Sequence, residues 1–250
     1  MNGEMAEWSK APDSKSGLGQ PNGGSNPSLS ASTLLLACWT ALVPLPAMGQ
    51  SGDADVAFQR GVELQEIGRF AEAIKAYDEA IRLGSSFLVA YNNRGAAYGA
   101  IKQYERAIPD FDRAIELNPK YTEAYCNRGA AFGALKQYDR AIGDFDKAIQ
   151  LDPKYARAYN NLAWLLATAD NPSIRDGRRA VELALKACDL SACQDTYLLD
   201  TLAAAYARVG NFAKAIEWQS KAMANPQRAL DSDTQVRLKS YREGKAWPAE

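Results

Sequence analysis

Ala90-Tyr91-Asn92-Asn93-Arg94-Gly95-Ala96-Ala97-Tyr98-Gly99 returns almost unchanged as Ala124-Tyr125-Cys126-Asn127-Arg128-Gly129-Ala130-Ala131-Phe132-Gly133, and begins a third time at Ala158-Tyr159-Asn160-Asn161-Leu162-Ala163. Gly95 to Gly129 is 129 − 95 = 34 residues, and Tyr125 to Tyr159 is 159 − 125 = 34. A fixed period of this size marks one supersecondary unit repeated so that each copy buries its apolar face on the next. Ala107, Phe111, Ala114, Leu117 and Pro119 come back as Ala141, Phe145, Ala148, Leu151 and Pro153. Apolar residues at this spacing line one stripe of a helix. Gly95, Gly129 and the alanines Ala107, Ala114, Ala141 and Ala148 are small residues at fixed places in the unit, where elements can approach closely. Tyr91, Tyr98, Tyr104 and Phe111 fill the larger gaps. Pro119 and Pro153 end the helix that precedes them in each unit, because proline cannot continue it.

Working outward, Gly61, Ala73, Tyr77, Ala80 and Leu83 make an earlier unit, and Tyr206, Phe212, Ala215 and Ala222 a later one. On these residues the chain resembles the tetratricopeptide-repeat (TPR) family, over nearly all of residues 54–229. The resemblance implies an all-α fold, a right-handed solenoid superhelix of helix-turn-helix repeats. Five repeats are expected, over 54–87, 88–121, 122–155, 156–195 and 196–229, with a capping helix and tail over 230–250. The fourth is irregular. Ala163 to Ala180 is 180 − 163 = 17 residues, against 141 − 129 = 12 from Gly129 to Ala141, so its turn carries an insertion rich in helix breakers, Thr168 to Gly177. The cap is assigned to Ser232–Tyr241, with Val236, Leu238 and Tyr241 on its inner side.

Composition limits the chemistry. The 250 residues carry a net charge of −1 and contain no histidine. Nucleic-acid binding needs a basic face, and histidine-dependent nucleophilic, general-base and metal chemistry lose their central residue. Cys38, Cys126, Cys188 and Cys193 have no metal-ligand or redox spacing. No phosphate-binding loop or nucleophile-elbow motif is present. Asp110/Asp112 and Asp144/Asp146 stand two apart on second helices, point to different faces and read as solvated surface. The expectation is a protein without catalytic residues, metal, cofactor, nucleic acid or small-molecule substrate.

Residues 1–33 lack hydrophobic periodicity and read either as a disordered tail or as a spurious extension. Pro12–Gly17 can be written CCG GAC TCG AAA TCC GGC, with complementary arms, and Gly24–Pro27 as GGT TCG AAT CCC, similar to the T-arm of a transfer RNA gene. Ala6–Ala11 resembles a translated D-arm. These three arms suggest translation through a serine transfer RNA gene, which the gene's nucleotide sequence tests. Residues 34–50 combine a short apolar run with small residues at Ala47 and Gly49, the pattern of a signal-peptide core and cleavage site, without a basic leader. Leu35-Leu36-Ala37-Cys38 also resembles a lipobox. The chain is therefore expected to be exported, periplasmic or secreted, with a cytoplasmic location as the alternative.

The resemblance places the first helices along a concave groove and Asn93, Asn127 and Asn161 at one equivalent place facing it. Similar proteins grip an extended peptide's backbone with such a ladder, and a carboxamide has the acceptor and donors to do so. The same residues could instead support the superhelix. Asn92, Asn160 and Arg157 add polar groups nearby, and Trp164 is either an aromatic wall or core. Ala96, Gly99, Ala100, Ala130, Gly133 and Ala134 make the floor wide and shallow, suited to an extended strand or a helix. Three ladder contacts at about 1 kcal/mol each imply weak binding. The carboxylate clamp of chaperone-binding TPR domains is not apparent. The expected partner is a protein or peptide. Weak homo-oligomerisation, as a self-assembling solenoid in an envelope complex, is the alternative. Cys188 and Cys193 are either two ordinary small residues or, after export, a disulfide closing a short loop.

Overall fold

The computed structural model describes residues 52–84, 88–191, 193, 195–225 and 231–248. The expectations for 1–33 and 34–50 lie outside these residues. Among them are eleven α-helices and no strand: α1 (Gly52–Glu66), α2 (Phe70–Leu83), α3 (Leu88–Ala100), α4 (Tyr104–Leu117), α5 (Thr122–Ala134), α6 (Tyr138–Leu151), α7 (Ala156–Thr168), α8 (Gly177–Ser191), α9 (Thr196–Arg208), α10 (Phe212–Ala222) and α11 (Ser232–Arg242). The first ten form five antiparallel hairpins. Each second helix also packs on the next first helix, and successive first helices touch along the array. That arrangement is an α-solenoid with the first helices α1, α3, α5, α7 and α9 on its inner wall.

The hairpins close where the sequence is smallest. A Cβ on Gly95 would lie 2.7 Å from the Phe111 ring, and one on Gly129 would lie 2.9 Å from that of Phe145. Both rings are fully buried. The turns share a backbone lock. The N–H groups of Arg69, Gln103, Gln137 and Asn211 return to the carbonyls of Leu64, Tyr98, Phe132 and Tyr206 at 2.8–2.9 Å. The residue before each, Gly68, Lys102, Lys136 or Gly210, adopts positive φ. In the fourth hairpin the insertion replaces this lock with a 3-10 turn at Pro172–Ile174, and Asp176 N–H reaches Leu166 C=O at 3.0 Å.

Two sequence expectations change. Asp110 and Asp144 are buried, not solvated. Arg94, on the first helix, holds Asp110 through two nitrogens at 2.5 and 2.8 Å and reaches back to Asp78 at 2.6 Å. Arg128 repeats the pattern with Asp144 (both bonds 2.8 Å) and Asp112 (2.6 Å). The guanidinium of Arg128 is held above its usual range, chiefly by its hydrogen bonds to Asp144. Asp112 is half-buried and Asp146 exposed, and both are ion-paired, Asp146 with Arg179 at 2.7 Å. In the cap, Leu238 and Tyr241 point inward, but Val236 is 54% exposed. The residue that turns inward is Arg237, fully buried and bonded to the equally buried Asp200 at 2.7 Å. Gln219 donates to the other oxygen of Asp200 at 2.6 Å. The cap is fastened to α9 and α10 by an ion pair instead of by valine.

Candidate functional site

Along α3, α5 and α7 the 34-residue period sets Asn93, Asn127 and Asn161 one above another, 8%, 3% and 2% exposed. Their amides bond within the wall. Asn92 Nδ2 donates to Asn93 Oδ1 at 3.4 Å, Asn127 Nδ2 to Asn92 Oδ1 at 2.9 Å, and Arg157 Nη2 to Asn127 Oδ1 at 2.7 Å. Asn161 Nδ2 lies 3.4 Å from Cys126 Sγ. Asn93 also lies near the Tyr77 hydroxyl, which donates to Gln65 Oε1 at 3.1 Å; burial drives the pKa of that hydroxyl well above its ordinary value, and Asn93 opposes the rise. The structure thus joins Asn92, Asn93, Asn127 and Arg157 in one polar seam across three first helices, with Asn161 beside it.

Asn160 differs. It is partly exposed, yet its Oδ1 is buried without a hydrogen-bond partner. An orphaned acceptor costs about 1–3 kcal/mol, so a donor brought there would be held. The small floor positions behave unevenly: Ala96, Gly99, Ala130 and Gly133 are buried by neighbouring elements, whereas Ala100 and Ala134 keep some exposure. Trp164 occupies the next equivalent position after Ala96 and Ala130 (130 + 34 = 164) and is buried against Trp247, so it is both wall and core.

Cys188 and Cys193 form a disulfide, with Cα atoms 4.3 Å apart. The end of α8 prepares it: Cys193 takes φ 55° and its N–H returns to the Cys188 carbonyl at 3.1 Å. Cys126 is free and buried, and burial pushes its thiol up. A cleft of about 780 Å³ opens at the inserted turn, lined by Ile142, Leu166, Arg175, Arg178, Arg208 and others, none of them seam residues. Among the described residues no group of carboxylates and cysteines could hold a metal ion, and no helix is long and apolar enough to cross a membrane.

Tetratricopeptide-repeat family models match residues 54–83, 89–121, 122–155 and 145–177. The chain is 32% identical to the first TPR domain of Spaghetti (RPAP3), solved with an HSP90 peptide, over 45% of this chain and 89% of that one, at a TM-score of 0.44. A TPR protein of Thermus thermophilus is 19% identical, with 76% of this chain and 99% of that one covered and a TM-score of 0.62. MamA of Desulfovibrio magneticus RS-1 is 24% identical, with 74% and 100% covered and a TM-score of 0.56. No curated protein matches the chain. With its repeats matched and its solenoid shared, the chain belongs to the tetratricopeptide-repeat family, whose fold is a protein-interaction scaffold.

Proposed function

We propose that this chain is a non-catalytic adaptor that captures an extended polypeptide segment along its inner wall. The observation that carries the reading is Asn160 Oδ1, a buried acceptor without a partner beside the seam of Asn92, Asn93, Asn127 and Arg157. Once the partly exposed Asn160 side chain turns outward, a backbone N–H of a bound segment would satisfy it, while the seam, already bonded within itself, keeps the wall rigid and limits the entropy lost on binding. The lack of histidine supports a non-catalytic role. The test is an affinity pulldown comparing the wild-type chain with Asn160→Ala and with Asn93→Ala/Asn127→Ala/Asn161→Ala. Loss of a captured protein in Asn160→Ala, with helicity and melting unchanged, supports the inner wall. Retention in both variants moves recognition to the convex face or the helix ends.

Export is part of the proposal. It is supported by the Cys188–Cys193 pair, since disulfides persist in oxidising compartments, and by the apolar pattern of residues 34–50. Protein recovered from cells under alkylation with Cys188 and Cys193 both labelled would refute it. Weak self-association is a second reading, favoured by exposed Val56 and Ile67 on the first hairpin. A molecular mass independent of concentration would exclude it.

A further inference from the structure

Past α11 the chain turns back onto the inner wall. Gly244 takes φ 70°, the Lys245 N–H returns to Ser240 C=O at 2.9 Å, and the Ser240 hydroxyl donates to Lys245 C=O at 3.1 Å. This reversal sets the Trp247 ring 6.0 Å from that of Trp164, centroid to centroid. Arg208 Nη2 donates to the carbonyls of both Trp247 and Pro248 at 3.3 Å. Behind the rings, the buried Arg237 guanidinium lies 5.7 Å from Trp164 and 5.3 Å from Trp247.

We propose that the inner wall at α7, α9 and α11 is a subsite for a tryptophan carried on an extended polypeptide, and that Lys245–Pro248 is its resident, displaceable occupant. The proposal rests on the adaptor reading and names the chemistry of its partner. Three observations support it. First, Trp164 stands where the second and third repeats have Ala96 and Ala130, so an aromatic receptor exists at this level of the wall. Second, the tail is bound as a ligand would be, by one ring and two carbonyls accepting from a single guanidinium nitrogen. Its Lys245 is exposed, its Trp247 only half-buried, and its two bonds to Arg208 are long, which suits exchange. Third, Arg237 Nε and Nη1 have no hydrogen-bond partner although the side chain is fully buried. Its charge is compensated in part by the ring faces, so the site favours an aromatic occupant over an aliphatic one.

The test uses the full chain and a fluorescein-labelled synthetic peptide, Glu-Gly-Lys-Ala-Trp-Pro-Ala-Glu, which repeats residues 243–250. Fluorescence anisotropy should show the Trp247→Ala chain binding this peptide at least about tenfold more tightly than wild type, whose own tail competes at high effective concentration. The same peptide with alanine in place of tryptophan should bind neither. Gly244→Val is the second variant. It leaves every wall residue intact but strains the positive-φ turn, and should raise peptide affinity several-fold even if Trp247→Ala folds poorly. Equal affinity of wild type and both variants, or no binding by any of them, overturns the proposal. So does a wild-type dimer that disappears in Trp247→Ala, which would put the tail on a second copy. None of these failures touches the adaptor reading, which stands on the Asn160→Ala pulldown.

Discussion

Like residues in unlike surroundings act as internal controls for single side chains. Gly95 and Gly143 are both helical glycines with opposite surroundings. A Cβ at Gly95 would meet the buried Phe111 ring at 2.7 Å, whereas one at Gly143 would meet nothing within 4 Å. Gly95→Ala should therefore destabilise the chain by about 1–3 kcal/mol through overpacking. Gly143→Ala should stabilise it by about 0.5–1 kcal/mol, because alanine loses less backbone entropy in a helix. Urea denaturation of the two variants checks both signs. The hairpin turns offer a third comparison. Gly68 and Gly210 take positive φ without a Cβ, but the second repeat places Lys102 there at φ 61°. Lys102→Gly relieves a left-handed cost of about 1–2 kcal/mol while adding unfolded-state entropy, so a net gain of about 0.5–1 kcal/mol is expected. A melting temperature unchanged or lowered in Lys102→Gly would show that the strain is absorbed elsewhere.

At the level of helix pairs, each hairpin is held by more than its apolar stripe. Arg94 bridges α2 and α4, and Arg128 bridges α4 and α6, so two first helices are each clamped between flanking second helices. The fourth repeat abandons the device. Leu162 stands at the place of Arg128 (128 + 34 = 162), and Leu183 at that of Asp144, three residues after the equivalent alanine in each case. Arg128→Ala leaves Asp144 with its partner gone in a largely desolvated position and should cost about 2–4 kcal/mol, reduced by the arginine's partial exposure. The double variant Arg128→Leu/Asp144→Leu, copied from the fourth repeat, should return to within about 1 kcal/mol of wild type. Thermal melts of the single and double variants measure the difference. This clamp also marks what the sequence made legible. The alignment of Asn93, Asn127 and Asn161 follows from the 34-residue period, and helix positions and hairpin closure at Gly95 and Gly129 follow once the period is joined to the family resemblance. The burial of Asp110 does not follow from i, i+2 geometry on one helix, because its partner Arg94 reaches it from the neighbouring helix. The same holds for the seam: a bond between Asn92 and Asn127 depends on how closely α3 and α5 approach, which small residues permit but do not specify. The tail was least legible, since Trp247 lies outside every repeat and its contact with Trp164 arises from a turn at Gly244.

For the molecule as a whole, stability is divided along its length. One apolar cluster runs from α1 through α8 into α9, and a second joins α7, α8, α9 and α10 to Tyr241 of the cap. In an array where each repeat touches only its neighbours, loss at one end propagates inward only as far as the coupling between repeats carries it. The C-terminal end depends on Asp200 and Arg237, both 0% exposed, with Gln219 bonded to Asp200 and Thr234 to Arg237. Asp200→Ala strands a buried guanidinium and should cost about 3–5 kcal/mol, far more than truncating an exposed side chain such as Val236. Its effect should also be local. Hydrogen exchange followed by mass spectrometry should show α9, α10 and α11 losing protection together, while α3 and α4 keep theirs, because free energies of local opening differ between cooperative units. Uniform loss across all the helices would mean that the two clusters unfold as one unit. The cap would then set the stability of the entire wall, and occupancy of its aromatic subsite would be coupled to the polar seam, which reaches α7 at Arg157.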